Sequence, residues 1–467
     1  MSSDVTSLSA TSHSVVERLA DVLWREVAPQ DMARAAWHVL DWLGCAAAGR
    51  VSPAGHALLA TYPSVQTAQT QAFVWGGLGN VLEMDDVDRR GLLHPGPVIV
   101  PALLALAQEM DREGRSVAGS ALLAALVRGY EATIRLGRAV GPGHYAQWHN
   151  TGTCGAIGAA MAAAALWRLD PGQTAQALAL ALSQTAGLWH TRHDPRSMGK
   201  QLHTAHAAQA GVQAALLARH GFTGPLRILE GPQGFFAAMC PGAKAEAILA
   251  QPDGPWALHD VSFKPWPACR HAHAAIDAAL LLKSQLQGAR PERVEVVSYK
   301  DALTFCDKPN PETEIEAKFS LQHAVAVVLQ RGEPQLADFT TAEIADPALV
   351  AGRARVSVAV GPDYQRAYPQ HFGAEVRAFV GGREFSASVA DALGDPENPL
   401  DQAALTAKAE GLMKFAGWGD AEAQALIAAV WALPQAGTSA ALLRAMEVGF
   451  GGSREARPRG SAQGAPR

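Results

Sequence analysis

The chain has 467 residues, of which 48% are hydrophobic and 18% charged, with a formal net charge of −5. That length is too great for one ordinary core and fits two or three domains, and the apolar content excludes disorder for the bulk of the chain. The slight acidity excludes a basic surface built for nucleic acid, so no nucleic-acid partner is expected.

The first half reads as helix after helix. Val15, Val16, Leu19, Val22 and Leu23 recur at helical spacing, and Ala35, Ala36, Val39, Leu40 and Leu43 do the same before Gly44. Further helical runs are expected at Pro101–Glu109, Ser120–Val140, Gly155–Leu169, Gly172–Thr185 and Thr204–His220, each closed by Gly, Pro or Asp-Pro. Gly158–Ala165 carries small residues on every face, which predicts a helix buried all round. No strand is expected before Leu258.

The pattern changes after Lys264-Pro265-Trp266-Pro267. A helix over Ala272–Leu286 precedes Arg293–Tyr299, whose alternation predicts a half-exposed strand, and a second helix is expected over Ala317–Leu329. Arg355–Val360 reads as another strand. Glu375–Val380 and Arg383–Val389 read as a hairpin turning at Gly381-Gly382. Helices return at Gln402–Phe415, Ala421–Ala432 and Ser439–Val448. The expected class is therefore mainly α with a smaller α+β domain. The helical domain is discontinuous, 1–267 plus 396–448, around a lid-like α/β domain at 268–395, and 449–467 is expected to be a disordered tail.

Met1–Ser14 contains no Lys or Arg, and the most apolar stretch, Gly155–Leu166, is too short to span a bilayer. The five cysteines are widely scattered with no CxxC pair, as in a reducing compartment. A cytoplasmic location without a membrane partner is the expectation.

Common phosphate, metalloprotease, hydrolase and calcium motifs are missing, and Gly77-Leu78-Gly79 lacks the third glycine of a dinucleotide fingerprint. Four polar segments instead interrupt apolar helical sequence: Glu83–Asp88 with His94-Pro95, His144–Thr153, Gly199–His206, and Lys264–His273. Each places titratable groups near an expected helix terminus, where backbone N–H groups favour carboxylates. Each also has a plain structural reading: Asp85 and Asp86 as helix caps, His149 and Thr151 as caps, Lys200 as a solvated lysine, His203 and His206 as packing. His203 and His206 with Cys269, His271 and His273 offer metal-ligand types, but no stretch supplies a standard ligand set, so no metal is expected.

In order along the chain, Leu40–Gly49, Asp85-Asp86 with His94-Pro95, Gly129–Gly137, His149–Gly152, Lys200 with His203, Gly221–Pro225, Lys264 with Pro267–His273, and Ala317–Leu321 resemble the MmgE/PrpD family. That family includes 2-methylcitrate dehydratase, cis-aconitate decarboxylase and iminodisuccinate epimerase. The resemblance implies a large helical domain, a smaller α/β domain, a cleft between them, a homodimer, and no metal or organic cofactor. It places site residues on Glu83, Asp86, His94, His149, Lys200, Lys264 and the Cys269–His273 stretch. Three departures stand out: Glu83 where the decarboxylase branch has aspartate, Cys269 where it has histidine, and Ala205-His206 in place of Gly-Asn.

The residues support a chemistry in which negative charge develops on a carbon beside a carboxylate. Such an intermediate needs cations in a closed site, and Lys200, Lys264 and Arg270 can supply them, Arg270 through bidentate contact. His94 is read as general acid/base with His149 as partner, and Asp86 or Glu83 as the group that fixes the imidazole tautomer. Glu83, Thr151, His203, Cys269, Arg270 and His273 are expected to bind substrate. The expected activity is a cofactor-independent lyase, of dehydratase or decarboxylase type, on a small di- or tricarboxylate. An epimerase or isomerase of a dicarboxylate is the alternative within enzymes, and a catalytically silent carboxylate-binding or scaffold protein is the alternative outside them.

Overall fold

Small side chains set the spacing of the helical part. In the computed structural model, which describes residues 13–65, 67–194 and 196–451, the helix Asn150–Trp167 is buried on every face but its last turn. It packs between the helices Gly119–Ala139 and Gly199–Arg219. Glycine is required at the crossing with the first of these: a Cβ on Gly158 would sit 1.9 Å from Thr133 Oγ1. Leucine or valine there would force the helices apart.

One apolar core gathers residues between Val15 and Phe263 and again between Leu400 and Phe450. The helix Gln402–Phe415 lies along the helix Pro29–Arg50. A second core runs from Trp266 to Ala392. The chain is thus mainly α with a smaller α/β part, and among the described residues every named strand lies after residue 292.

The α/β part holds a four-stranded mixed sheet in the order β2-β1-β3-β4. Here β1 is Arg293–Ser298, β2 Val356–Val360, β3 Ala374–Val380 and β4 Arg383–Val389. β1 pairs parallel to β2 and antiparallel to β3, with Val296 opposite both Val358 and Val376. The β3–β4 hairpin turns on Gly381 and Gly382 at φ of 55° and 77°, a left-handed pair that glycine adopts without strain. The helix His273–Leu286 covers β3 and β4.

Three sequence expectations are corrected. β1 alternates only in its first half, Arg293 exposed and Glu295 half-buried on either side of buried Val294, whereas Val296, Val297 and Ser298 are all buried. The helix expected over Ala317–Leu329 is two helices, Glu314–Lys318 and Leu321–Arg331, broken where the Ser320 hydroxyl caps the second. The expected tail starts too early, since Gly449 and Phe450 end the buried face of the helix Ala440–Phe450 and the Phe450 ring packs edge-on against Trp418. The stretch 452–467 lies outside the described residues. All five cysteines are buried and unpaired, and no helix among the described residues is long and apolar enough to cross a membrane.

Candidate active site

Three helix beginnings carry the polar segments to one place. His94 precedes the helix Gly96–Arg112, His149 is the N-cap of the helix Asn150–Trp167, and Lys200 lies in the first turn of the helix Gly199–Arg219. A lysine there opposes the helix dipole, so its position is not explained by helix stability. The His94 N–H donates to Thr151 Oγ1 at 3.0 Å, and the Nδ1 atoms of His149 and His203 lie 3.2 Å apart. His149 also stacks on Trp189, with ring centroids 4.5 Å apart.

The segment Asn80–His94 closes over these helix starts. Glu83 holds a left-handed φ of 58°, a strained conformation for a residue with a Cβ, and its carboxylate is buried. It receives the Lys200 ammonium on one oxygen, while Lys264 Nζ lies 3.6 Å from the other. Lys264, fully buried, also reaches Asp85 Oδ1 at 3.4 Å. The second Asp85 oxygen takes the Asn80 amide at 2.6 Å and lies 2.9 Å from His94 Nδ1. A continuous chain of charge therefore runs Lys200–Glu83–Lys264–Asp85–His94. His94 and Lys200 keep 14% and 16% of their side-chain surface, so the chain opens to solvent at those two ends.

Burial and charge pull against each other along it. Burial disfavours the Glu83 and Asp85 carboxylates, yet Lys200 and Lys264 hold Glu83 below its ordinary value, and His94 with Lys264 does the same for Asp85. Burial disfavours the Lys264 ammonium as well, but Asp85 and Glu83 more than restore it. His149 goes the other way: burial, with Lys200 and His203 nearby, pushes it well below the usual histidine range, and burial takes His203 to about 4. Both rings are neutral at pH 7, one Nδ1 donating to the other.

Several expected site residues lie elsewhere. Asp86 points away from His94 into the helical core, where it accepts from His38 Nδ1 at 2.7 Å, Tyr130 O–H at 2.7 Å and Gly96 N–H at 2.9 Å. Burial raises its carboxyl to about 6. Asp85, its neighbour, is the carboxylate that meets His94. Arg270 is committed to Asp395, which also takes Ser262 O–H at 2.6 Å and faces Arg89 at 3.3 Å. His273 is buried with Nε2 3.1 Å from Ala268 O, and its Nδ1 has no hydrogen-bond partner among the described residues. Cys269 is buried; burial resists its ionisation, but a hydrogen bond from the Cys306 thiol brings it below the ordinary thiol value. Asp391, Asp395 and Glu397 are the acids among the described residues whose oxygens converge as metal ligands might, but Arg89 and Arg270 already occupy them.

Three contributors were missed by the sequence reading. Asn80 orients Asp85. Lys408, from the helix Gln402–Phe415, braces the segment by donating at 2.5 Å to Met84 O and to Asp41. Lys318 is only 4% exposed and lies within electrostatic reach of Glu83 and Lys264. Of the three, Lys318 alone had a signal in the sequence, lying in the Ala317–Leu321 stretch that resembles the family.

Comparison with known proteins gives the same ordering of the chain. The model of the MmgE/PrpD N-terminal domain matches residues 16–248, and that of the MmgE/PrpD C-terminal domain matches 266–433. The chain is similar to the cis-aconitate decarboxylase-like protein oryM of Aspergillus oryzae, 28% identical over 57% of this chain and 60% of that one. It is similar to cis-aconitate decarboxylase of Aspergillus terreus, 22% identical over 73% of this chain and 76% of that one. To 2-methylcitrate dehydratase of Cupriavidus necator it is 28% identical over 41% of each chain. These relatives are lyases, differing in what they remove from their substrates. With both family domains matched in order across most of its length, the chain belongs to the MmgE/PrpD family.

Proposed function

We propose that the chain is a lyase that needs no cofactor and acts on a small tricarboxylate, through an intermediate carrying negative charge on a carbon beside a carboxylate. The observation that carries this reading is the buried Lys264 bridging Glu83 and Asp85 beside His94. Buried charges of this kind are costly unless they do something that an apolar core cannot. The named activities of the relatives support the same substrate class.

In this reading His94 Nδ1–H donates to Asp86 O at 2.9 Å with Asp85 Oδ2 at the same distance, which leaves His94 Nε2 to give or take a proton. Neutral His149 is the complementary base. For dehydration, His149 removes the α-proton, the C–H electron pair passes into the adjacent carboxylate as an enediolate, and His94 protonates the departing hydroxyl, which leaves as water. For decarboxylation, the C–C bond breaks to release CO2 and the resulting carbanion takes a proton from the same pair. Lys200 and Lys264 stabilise the developing charge in both, on the scale of about 100-fold per donor.

The test is NMR in heavy water with citrate, 2-methylcitrate and cis-aconitate, before and after exhaustive chelation. Loss of water, or loss of CO2 with deuterium taken up by the product, unchanged by chelation, is the expected result. Deuterium exchange without net loss of a group identifies an epimerase or isomerase instead. Neither loss of a group nor exchange with any di- or tricarboxylate leaves a binding or scaffold role, and activity restored only by a divalent metal overturns the cofactor-free reading.

A further inference from the structure

We propose that His203 is a proton relay for His149, joining the ring that meets the substrate to solvent through the contact of their two Nδ1 atoms; the inference rests on the lyase reading above. Those atoms lie 3.2 Å apart. Two lone pairs do not face each other at that distance, and neither do two N–H groups, so one ring donates and the other accepts. Each neutral imidazole carries one proton, so the choice made at this contact fixes both outer nitrogens. When His149 donates, its Nε2 is bare and is a base. When His203 donates, His149 Nε2 carries the proton and is an acid. His203 is half-buried, and its own Nε2 has no hydrogen bond among the described residues and is not sealed from solvent.

Two separate parts of the fold hold the rings at this contact. The stretch 147–149 runs antiparallel to 187–189, with His149 N–H donating to Gly187 O at 2.9 Å and Trp189 N–H to Gln147 O at 3.0 Å. This strap stacks the Trp189 ring on His149 at an interplanar angle of 14°, while the His203 ring approaches inclined at 45°. A glycine admits the helix that carries His203: a Cβ on Gly152 would lie 3.1 Å from His203 Cβ and 2.7 Å from Ala186 O. His206, one turn further along that helix, has Nε2 3.0 Å from Gln184 O and is engaged there.

The need for a relay follows from the place of His149. Its ring is buried, and burial, then Lys200, opposes a positive charge on it. In proton removal the substrate C–H bond breaks, its electron pair stays on the substrate, and the proton bonds to His149 Nε2. The His149 Nδ1–H bond breaks with its pair left on nitrogen, and that proton bonds to His203 Nδ1. The His203 Nε2–H bond breaks in turn and its proton passes to water. The substrate has lost one proton, water has gained one, and no charge stays on the buried pair. His149 now carries a proton on Nε2, and the reverse sequence delivers that proton to a carbanion or, in the emptied site, back to water. A weakly basic ring suits the outer place, and burial takes His203 to about 4.

The experiment measures turnover of citrate, 2-methylcitrate and cis-aconitate by the full chain and by His203→Gln, with and without added imidazole. Glutamine keeps a hydrogen bond to His149 but has no ring to pass a proton through. Turnover in the variant is expected to fall at least about tenfold at a steady Michaelis constant. Added imidazole is expected to restore it in proportion to concentration, and to leave the wild type unchanged. Unchanged turnover in His203→Gln overturns the relay and leaves the lyase reading intact. A loss that imidazole does not restore, or a rise in the Michaelis constant alone, also overturns the relay, because a packing or substrate-binding role gives that result. A second measurement needs neither turnover nor a folded variant: NMR of the wild type with its histidine rings labelled with nitrogen-15, near neutrality. One proton shared between the two Nδ1 atoms is expected, and two bare Nδ1 atoms overturn the relay. Where the chain turns over none of the three substrates, the lyase reading fails; the shared proton then supports the relay contact alone, and its absence overturns both.

Discussion

Two buried ion networks lie within the same molecule and have opposite character. Around Asp395, two arginines meet three acids, with Arg89 and Arg270 bonded to Asp391, Asp395 and Glu397, and Ser262 adding a hydroxyl. Around Glu83, lysines and a histidine meet two acids, and the chain opens to solvent at His94 and Lys200. The first network is closed and joins Arg89 of the helical part to the segment Arg270–Asp395 of the α/β part. The second is open at its ends. Both draw on positions that a sequence reading assigns to substrate, and what separates them is the cation: planar guanidinium groups that suit permanent pairing in the first, ammonium groups in the second.

Lys264→Met strikes the centre of the open network and should have the largest effect. Turnover should fall by roughly a hundredfold or more, and the melting temperature should drop as well, because Glu83 and Asp85 are left buried beside each other. Lys200→Met, at the partly exposed end, should lose turnover on a similar scale with little change in melting. Steady-state kinetics with calorimetric melting separates the two, and unchanged turnover in a folded Lys264→Met protein breaks the comparison.

Arg270→Met tests the closed network. Removing one partner of a buried pair costs about 3 kcal/mol, moderated here because Arg89 and Ser262 still face Asp395. Denaturant melts should show this loss, while turnover per folded molecule stays within a few-fold. A selective rise in the Michaelis constant would return Arg270 to the substrate site.

Asp86 makes a prediction in pH. Its folded value, about 6, lies above the ordinary carboxyl value, so the folded chain binds the extra proton more tightly than the unfolded chain. Its contribution to stability is therefore fully present below the unfolded value and is lost as pH rises through about 6. A tenfold difference in proton affinity between the folded and unfolded chains is worth about 1.4 kcal/mol. Comparing chemical melts at pH 7 and pH 5, Asp86→Asn should remove part of the gain seen on acidification, whereas Asp85→Asn should mainly lower turnover. Equal loss of turnover in both variants would place Asp86 back in the chemistry.

The smallest effect is expected at the rim of the closed network. Glu397 is 41% exposed on its side chain, and Glu397→Gln should cost no more than about 1 kcal/mol, less in high salt.

The helical part and the α/β hairpin were legible because their signals are local: periodicity for the helices, two adjacent glycines for the turn. Lys200, Lys264, His94, His149 and Glu83 were legible as polar interruptions of apolar sequence, and the structure brings them together. The exchange of Asp86 for Asp85 was not legible. Adjacent side chains leave a turn in different directions, and only the partners waiting there, His38 and Tyr130 on one side and His94 on the other, decide which acid faces the chemistry. Arg270 misled because its partner Asp395 lies 125 positions away. Lys318 hid inside what reads as one continuous helix, which breaks where the Ser320 hydroxyl caps the next.

The bond from Lys408 to Met84 O has a consequence for how the protein is made. The segment that presents Glu83 and Asp85 is braced by a residue more than 320 positions later, and the helical core itself is completed only by residues 400–450. Domains commonly begin to fold as they leave the ribosome, N-terminal part first. A chain still missing its last quarter has all the acid/base groups of the site, yet the segment carrying two of them has no anchor. The site therefore acquires its shape late in synthesis, and fragments released early, though rich in the chemistry, should be inert.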